Sequence, residues 1–411
     1  MPEQTIFYIL LGIISFDFVL ERTLSFLNRK SATKPIPSEL EGIYDEEKYA
    51  RSQQYQAEVS KFSTLSASFS FVFTFLAIYL GWFGILDQLI RGFSPNSFAT
   101  PLIFFGILFI FSDVISIPFS LYRNFVIEAK YGFNKMTIKT FILDKLKGYL
   151  LTFIIGGLLL STLIYLVNWV GQDFWWYFWA VMAGFTLFAN LFYTTLILPL
   201  FNKLKPMEEG ELKTSIQEYS EKVRFPLTNI FVMDGSKRSS KGNAFFSGLG
   251  KKKKVVLFDT LIEKHTVEEL TAVFAHEVGH FKKKHIVFST IFSIGLMGFM
   301  LFLFSRMAYD AEVSWAMGGQ VSALHLILLA FGILYSPIST ILGIIGNVVS
   351  RKNEYEADAY ARETYASEPL VTGLKKMSSD HLSNLTPHPA YVFVHYSHPP
   401  LKERVKALTT G

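Results

Sequence analysis

Seven stretches of the sequence are long and apolar enough to cross a bilayer, which takes about 20 consecutive apolar residues in a helix. They lie at approximately 5–27, 63–86, 100–121, 149–170, 175–200, 286–308 and 321–348. Composition agrees, since 50% of the residues are hydrophobic and 18% are charged, whereas about a quarter are charged in typical soluble domains. The sequence therefore predicts a mainly α-helical, polytopic membrane protein with seven transmembrane helices.

The distribution of basic residues predicts how the chain is oriented in the membrane. Lysine and arginine cluster after spans one, three, five and seven, and the opposite loops hold mainly Arg91 and Arg306. Because basic loops stay in the cytosol, we expect the N-terminus outside and the C-terminus in the cytosol. The net charge of +5 fits contact with membrane lipid, and no motif indicates a nucleic acid partner. The absence of cysteine excludes disulfides and thiolate metal sites.

The pentapeptide His276-Glu277-Val278-Gly279-His280 is the strongest chemical signal in the chain. Thr266-Val267-Glu268-Glu269 reads as a capping box, which predicts that the segment is helical. On a helix, positions i and i+4 share a face, so both imidazoles can bind one metal ion while Glu277 activates a water molecule beside it. Two imidazoles plus a carboxylate suit zinc. The alternative, a chance match on a surface helix, loses weight if a third ligand exists.

A third ligand is predicted in the segment that follows span seven. Glu354 and Asp358 are four residues apart in a stretch with helical propensity, so they lie on one face. Glu354 would complete a His-His-Glu site for one zinc ion, and Asp358 would accept the free imidazole N–H of a ligand histidine. Such a pair alone is usually a solvated acidic face. Here the His276 and His280 pair still needs one carboxylate ligand, so metal binding by Glu354 becomes the favoured interpretation.

Near the C-terminus, His398 precedes two prolines and is expected in an extended turn. An imidazole facing the metal could stabilise the oxyanion of a tetrahedral intermediate. Arg404 would position His398 or bind substrate. His285, five residues after His280, should lie on a different helix face and is interpreted as a helix-end or packing residue.

Two short strands are predicted at 229–234 and 254–259, with 243–245 between loop-like segments. We expect a small sheet with an exposed edge beside the metal helix, able to pair with an extended peptide. An ordinary hairpin without a ligand remains the alternative. The chain then divides into spans one to five (1–200), a first catalytic segment (201–285), spans six and seven (286–348) and a second catalytic segment (349–411).

Together these segments resemble the type I CaaX prenyl endopeptidases, integral-membrane zinc metalloproteases of the yeast sterile-mutant type. The matching stretches are Asn124–Glu128, Tyr131–Asn134, Gly235–Ser240, Asn243-Ala244, Val256–Leu261, His276–His285, Asn353–Tyr360 and Tyr396–Arg404. The resemblance implies seven membrane helices around a large water-filled chamber, closed at the cytosolic end by a gluzincin-like α+β protease domain.

The resemblance also implies roles for individual residues. Zinc would be bound by His276, His280 and Glu354, with Glu277 as general base. Asn243 and His398 would line the cleft and contact the substrate backbone or the oxyanion. The neighbouring Ala244 and Phe245, together with Arg404, complete the predicted substrate contacts.

The implied substrate is a peptide or protein with a prenylated C-terminal CaaX sequence, or a similar membrane-associated substrate. A membrane quality-control protease that needs no prenyl group is the nearer alternative, and a transporter or scaffold with a structural zinc site is the more distant one. Only a few residues separate Leu261 from Thr266. This compactness favours a microbial member in a bacterial inner membrane; a eukaryotic member would lie in the endoplasmic reticulum membrane.

Overall fold

The structure, a computed structural model, describes residues 1–247 and 253–410, most of which are helical. The helices of the first half are α1 (Glu3–Ser31), α2 (Glu46–Tyr79), α3 (Trp82–Phe93), α4 (Ala99–Tyr122), α5 (Ile138–Leu151), α6 (Gly157–Val170), α7 (Phe174–Phe192) and α8 (Leu198–Phe201). Those of the second half are α9 (Glu211–Lys222), α10 (Asp259–Ile262), α11 (Val267–Lys282), α12 (His285–Ser305), α13 (Ala311–Ala316), α14 (Leu324–Thr364), α15 (Ser367–Asp380), α16 (Pro389–His395) and α17 (Leu401–Thr410).

Within the described residues, six helical segments are long and apolar enough to cross a membrane. One of them, Ile138–Phe201, contains both the fourth and the fifth predicted spans, which separate at Gly171, where φ is +75°. The polytopic helical fold is thus confirmed, and the number seven depends on how this segment is divided. The predicted second span, 63–86, lies largely within its helix but runs past the helix end. Its helix α2 begins at Glu46, where the Asp45 carboxylate accepts a hydrogen bond from the Lys48 N–H, and ends at Tyr79.

Two other helix boundaries matter for the site. The seventh span and the segment that carries Glu354 form one uninterrupted helix, α14, of 41 residues. Conversely, the metal-motif helix α11 does not run straight into the sixth span. Lys284 adopts a left-handed conformation with φ +61°, so α12 begins in a new direction.

A four-stranded sheet lies in the second half of the chain. Its strands are β1 (Leu204–Pro206), β2 (Leu227–Met233), β3 (Ala244–Ser247) and β4 (Lys253–Phe258), in the order β1-β2-β4-β3. β2 and β4 are parallel, and β1 and β3 pair antiparallel on the two sides. The predicted small sheet is therefore present, and β1 and β3 are its two edge strands in the described residues.

Of the four apolar cores in the described residues, two position the predicted site. The larger core joins the membrane helices and includes the fully buried Phe104, Phe174 and Phe304. The second core packs α9, β2, β4 and α15 around one face of α11, with Phe274 at its centre. The contact between α11 and α14 is the most extensive one between two helices in the described residues. Burying α11 therefore also brings the two halves of the predicted metal site together.

Candidate active site

Helix α11 is held rigidly at its first turn. The predicted capping box is present, with the Thr266 hydroxyl accepting from the Glu269 N–H at 3.3 Å and the Glu269 carboxylate accepting from the Thr266 N–H at 3.2 Å. Residues Leu270–His276 are buried. A capped, buried helix offers little freedom to the imidazoles at its other end.

Gly279 allows α14 to approach α11 closely. A Cβ atom at this position would lie 2.9 Å from the Cα and 3.0 Å from the carbonyl oxygen of Ala357. Real Cβ atoms do not come so close to backbone atoms, so only glycine fits at this crossing. The glycine inside the metal motif thereby sets the distance between the two helices that carry the predicted ligands.

Three predicted ligands converge at this helix crossing. The His276 and His280 Nε2 atoms are 3.1 Å apart. The Glu354 carboxylate lies 3.5 Å from the first of them and 3.2 Å from the second. One ligand atom from each residue can be chosen so that all three lie within 4.8 Å of one another. This geometry suits a single divalent ion held by two imidazoles and a carboxylate.

The electrostatics of the cluster favour a bound cation. Burial disfavours the imidazolium of His276, but Asp358 and then Glu354 stabilise it more strongly and raise the pKa of His276 to about 9. Glu354 Oε2 is buried and, among the described residues, has no hydrogen-bond partner. Its charged neighbours, Arg404 Nη1 at 3.4 Å and His276 Nε2 at 3.5 Å, make no hydrogen bond to it, so a metal ion would give this buried carboxylate oxygen the closer contact that it lacks.

His276 is held from behind by a charged pair. Its Nδ1 atom lies 2.8 Å from Asp358 Oδ1. Arg404 binds both oxygens of that carboxylate, at 2.6 and 2.8 Å, and lies 3.4 Å from Glu354. Because Asp358 and Arg404 are 2% and 8% exposed, these contacts are shielded from water. Asp358 can thus fix the tautomer that leaves Nε2 free for the metal.

His280 is contacted by a residue that the sequence reasoning set aside. Its Nδ1 atom lies 3.0 Å from His285 Nδ1, and His285 Nε2 lies 3.2 Å from the Glu356 carboxylate. The interpretation of His285 as a helix-end or packing residue on another face assumed an uninterrupted helix. The left-handed Lys284 turns His285 back towards His280, and no residue in the motif signals that turn.

Glu277 lies beside the ligands and is half-buried. Burial raises the pKa of its carboxyl above the usual range, although His276 and His280 act in the opposite direction. A carboxyl shifted towards neutral pH accepts and returns a proton more readily than an ordinary glutamate does.

His398 is also brought to the cluster, although it comes from a different segment. Its Nε2 atom lies 3.4 Å from Glu354 Oε1, and its side chain is 63% exposed. Helix α14 anchors the preceding residues, because Asn347 donates to the Val394 carbonyl at 2.7 Å and Arg351 to the Tyr396 carbonyl. His398 therefore presents an accessible imidazole next to a buried ligand.

The predicted substrate-contact residues separate into two groups. Asn243 is exposed at the start of the edge strand β3, where its side chain accepts from the Ala244 N–H at 2.9 Å. Ala244 and Phe246 pack with the core around α11. Phe245 points to the other face of the sheet, against Phe258, so its side chain does not face the metal helix.

Arg404 lies inside the cluster. Its guanidinium is buried and engaged by Asp358 and Glu354. That Arg404 positions His398 or contacts a substrate stays a prediction. The observed contacts place it behind the predicted ligands His276 and Glu354.

Comparison with known proteins supports the same chemistry. The pattern described as CAAX prenyl protease N-terminal, five membrane helices, matches residues 25–203, and that of peptidase family M48 matches residues 206–410. CAAX prenyl protease 1 of Saccharomyces cerevisiae is 34% identical over 97% of this chain and 93% of its own length. The human CAAX prenyl protease 1 homolog is 34% identical over 92% of this chain and 89% of its own length.

A solved structure resembles the whole chain. The crystal structure of S. mikatae Ste24p superposes with a TM-score of 0.93 at 32% identity, covering 100% of this chain and 99% of the other. The correspondence thus includes the membrane helices as well as the metal-binding half.

Proposed function

On the premise that this chain belongs to peptidase family M48, and within it to the CAAX prenyl proteases, we propose that it is a zinc endopeptidase for C-terminally prenylated CaaX peptides or proteins. It is an integral membrane metalloendopeptidase, as its helices and relatives indicate. The proposal adds the metal, the residue roles and the substrate. The observation that carries it is the convergence of His276, His280 and Glu354 beside Glu277.

We propose zinc because the donor set consists of two imidazoles and one carboxylate, the set that open catalytic zinc sites use. When bound, zinc supplies a Lewis acid that acidifies water and polarises a carbonyl group. Glu277 takes the proton of the attacking water and then passes it to the leaving amine. The exposed imidazole of His398 donates a hydrogen bond to the developing oxyanion. Asp358 and Arg404 keep His276 in the tautomer that binds metal.

The substrate backbone would lie along β3. This strand is one of the two edges of the sheet and, among the described residues, it pairs with β4 on one side only. An extended peptide can add to such an edge by main-chain hydrogen bonds. Asn243, Ala244 and Phe245 would then act through their backbone groups and, at position 243, through an exposed amide.

A cavity next to the metal ligands suits the lipid part of the substrate. It has a volume of about 1200 Å³ and lies between α12 and α14. His280 and Glu356 border its polar end, and the apolar side chains of Phe292, Leu296 and Leu342 line its length. Ligand pockets typically measure about 300–1,000 Å³, so this one can accept an isoprenoid chain whose peptide end lies at the metal.

We propose that the site faces the cytosol. Basic residues cluster in the segments predicted on that side, and the metal motif lies between spans five and six. The bacterial inner membrane, inferred from the short segment between Leu261 and Thr266, stays a prediction.

The decisive experiment measures metal content and peptide cleavage for the wild type and Glu277→Gln. The wild type should bind one zinc ion per chain and cleave a farnesylated CaaX peptide. Glu277→Gln should retain the zinc and lose activity by at least about 10²-fold, since it removes the general base. Wild-type turnover in this variant would refute the role of Glu277.

A second measurement tests the substrate class. We expect the farnesylated peptide to be cleaved with a higher kcat/KM than the same peptide without the lipid. Equal cleavage of both peptides would favour the quality-control protease, which needs no prenyl group.

A further inference from the structure

We propose that His285 and Glu356 position the metal ligand His280, forming a second support that fixes its tautomer. This inference rests on the proposed function in one respect, because it requires His280 to bind the metal. It adds two residues that neither the motif nor the three-ligand set contains.

Hydrogen-bond chemistry determines which nitrogen carries each proton. The Glu356 carboxylate can only accept, so His285 Nε2, at 3.2 Å, must donate to it. A neutral His285 then has its lone pair on Nδ1. His280 Nδ1, at 3.0 Å, must in turn donate to that atom. The His280 lone pair is thereby placed on Nε2, which is the atom 3.2 Å from Glu354.

The backbone is distorted where this contact requires it. On a continuous helix, five residues at about 100° each would leave His285 about 140° away from His280 around the axis. Instead Lys284 has φ +61°, a left-handed conformation that is unfavourable for a residue with a Cβ atom. Strain of this kind persists where surrounding contacts hold it, and here the result is an imidazole that faces the ligand.

The surroundings of His285 show how a role in positioning His280 differs from a role in packing alone. The residue is 7% exposed and both ring nitrogens have polar neighbours. Glu356 is more accessible, with 39% of its side chain exposed at the edge of the cavity between α12 and α14. A packing role would require only volume at position 285, whereas a positioning role requires an acceptor that faces His280.

Two substitutions of His285 therefore distinguish a packing role from a positioning role by their effects on metal affinity. His285→Phe keeps the volume and the ring shape but removes the acceptor. His285→Asn reduces the volume but places an amide oxygen where Nδ1 was, so that it can still accept from His280. We expect His285→Phe to weaken metal binding about 10–100-fold, the usual effect of losing such a partner, and His285→Asn to stay close to the wild type.

Glu356, the carboxylate partner of His285, allows a second pair of test variants. Glu356→Gln retains an acceptor for His285 and should bind metal like the wild type, whereas Glu356→Leu should weaken binding, though less than His285→Phe because the position is partly exposed. His395→Phe is the matched control. In the wild type, His395 Nε2 faces the Glu21 carboxylate at 3.4 Å, a similar pair outside the ligand cluster. The zinc affinity of His395→Phe should therefore equal that of the wild type.

The experiment uses the full chain in detergent and determines the zinc dissociation constant by chelator competition. The absorption spectrum of the cobalt-loaded protein gives a second readout of ligand geometry, independent of turnover. The proposal is overturned if His285→Phe binds zinc like the wild type, or if His285→Asn loses more affinity than His285→Phe. If His285→Phe does not fold, Glu356→Leu against Glu356→Gln decides, and equal affinities overturn the proposal. His276→Ala tests the proposed metal site separately from the role of His285. If this variant leaves the zinc affinity unchanged, the proposed metal site itself is wrong.

Discussion

The two proposed histidine ligands, His276 and His280, are supported in chemically different ways. Behind His276 lies a fully charged pair, Asp358 and Arg404, both almost completely buried. Behind His280 lies a second imidazole, His285, whose carboxylate partner Glu356 is 39% exposed. A buried charge must be paired or the fold loses stability, whereas a partly exposed carboxylate can be solvated. The first support should therefore matter for folding and for metal binding, and the second mainly for metal binding.

The strongest test of this difference is Asp358→Ala. It leaves the Arg404 guanidinium buried without its bidentate partner, and breaking a buried pair in this way costs about 3–5 kcal/mol. We expect a large loss in the free energy of unfolding, measured by chemical denaturation. The double variant Asp358→Ala/Arg404→Met should recover part of that stability but not the metal affinity. If the single variant is as stable as the wild type, the charged support has no role in folding.

The pH dependence of zinc binding tests the same charged support. The carboxylates of Asp358 and Glu354 raise the pKa of His276 to about 9 against the effect of burial. Protonated His276 cannot bind metal, so zinc must displace this proton at lower pH. Affinity should rise about tenfold per pH unit below pH 9 and level off above it. Isothermal titration in buffers of different ionisation enthalpy should detect the released proton, and a pH-independent affinity between pH 7 and 9 would contradict this assignment.

The close contact between α11 and α14 serves both supports, and Gly279→Ala tests it. The added Cβ would meet the Ala357 backbone at 2.9 Å, so α14 must shift and carry Glu354, Asp358 and Glu356 with it. We expect a loss of about 1–3 kcal/mol in stability, as for other overpacked sites, together with weaker zinc binding. Gly295→Ala in α12 is the control, since nothing lies within 4 Å of its added Cβ. Similar effects of the two substitutions would mean that the helix contact is not the cause.

The smallest effect is expected at the backbone turn that directs His285. Lys284→Gly removes the cost of a left-handed residue with a Cβ atom, which is about 1–2 kcal/mol. It adds an opposing cost of roughly 0.5–1 kcal/mol, because glycine loses more chain entropy on folding. A net gain of roughly 0.5–1 kcal/mol in unfolding free energy should result. Lys283→Gly, at a right-handed position with φ −82°, should lower stability instead. A destabilised Lys284→Gly variant would contradict the strain at this turn.

Much of the fold was predictable because it depends on local patterns. Long apolar stretches identified the membrane helices, and the polytopic helical fold is confirmed. The capping box beginning at Thr266 identified the start of α11, and the free sheet edge is present at β3. Membership of a metallopeptidase family, inferred from the motif segments, is confirmed by the comparisons. The roles of single residues in the site stay predictions.

The errors occurred where a boundary depends on contacts between distant segments. The second span was predicted to end at 86, past Tyr79, because the apolar pattern continues across the break at Gly81, where φ is +67°. A C-terminal arginine likewise gives no sign that Asp358 and Glu354 will contact and bury Arg404. The direction of the Phe245 side chain, towards Phe258 and away from the metal helix, follows only from the pairing of β3 with β4.

The amino-acid sequence by itself determined the ligand types, because the i, i+4 spacing of His276 and His280 and of Glu354 and Asp358 places each pair on one helix face. It also determined that the chain is a membrane protein, because several apolar stretches of about 20 residues are long enough to span the hydrocarbon layer. Only the tertiary structure decided how these pairs meet and which residues support them. Gly279 allows two backbones to touch, and the turn at Lys284 directs His285 towards His280. Both depend on a helix crossing between segments far apart in the chain, and short-range spacing cannot encode such a distance.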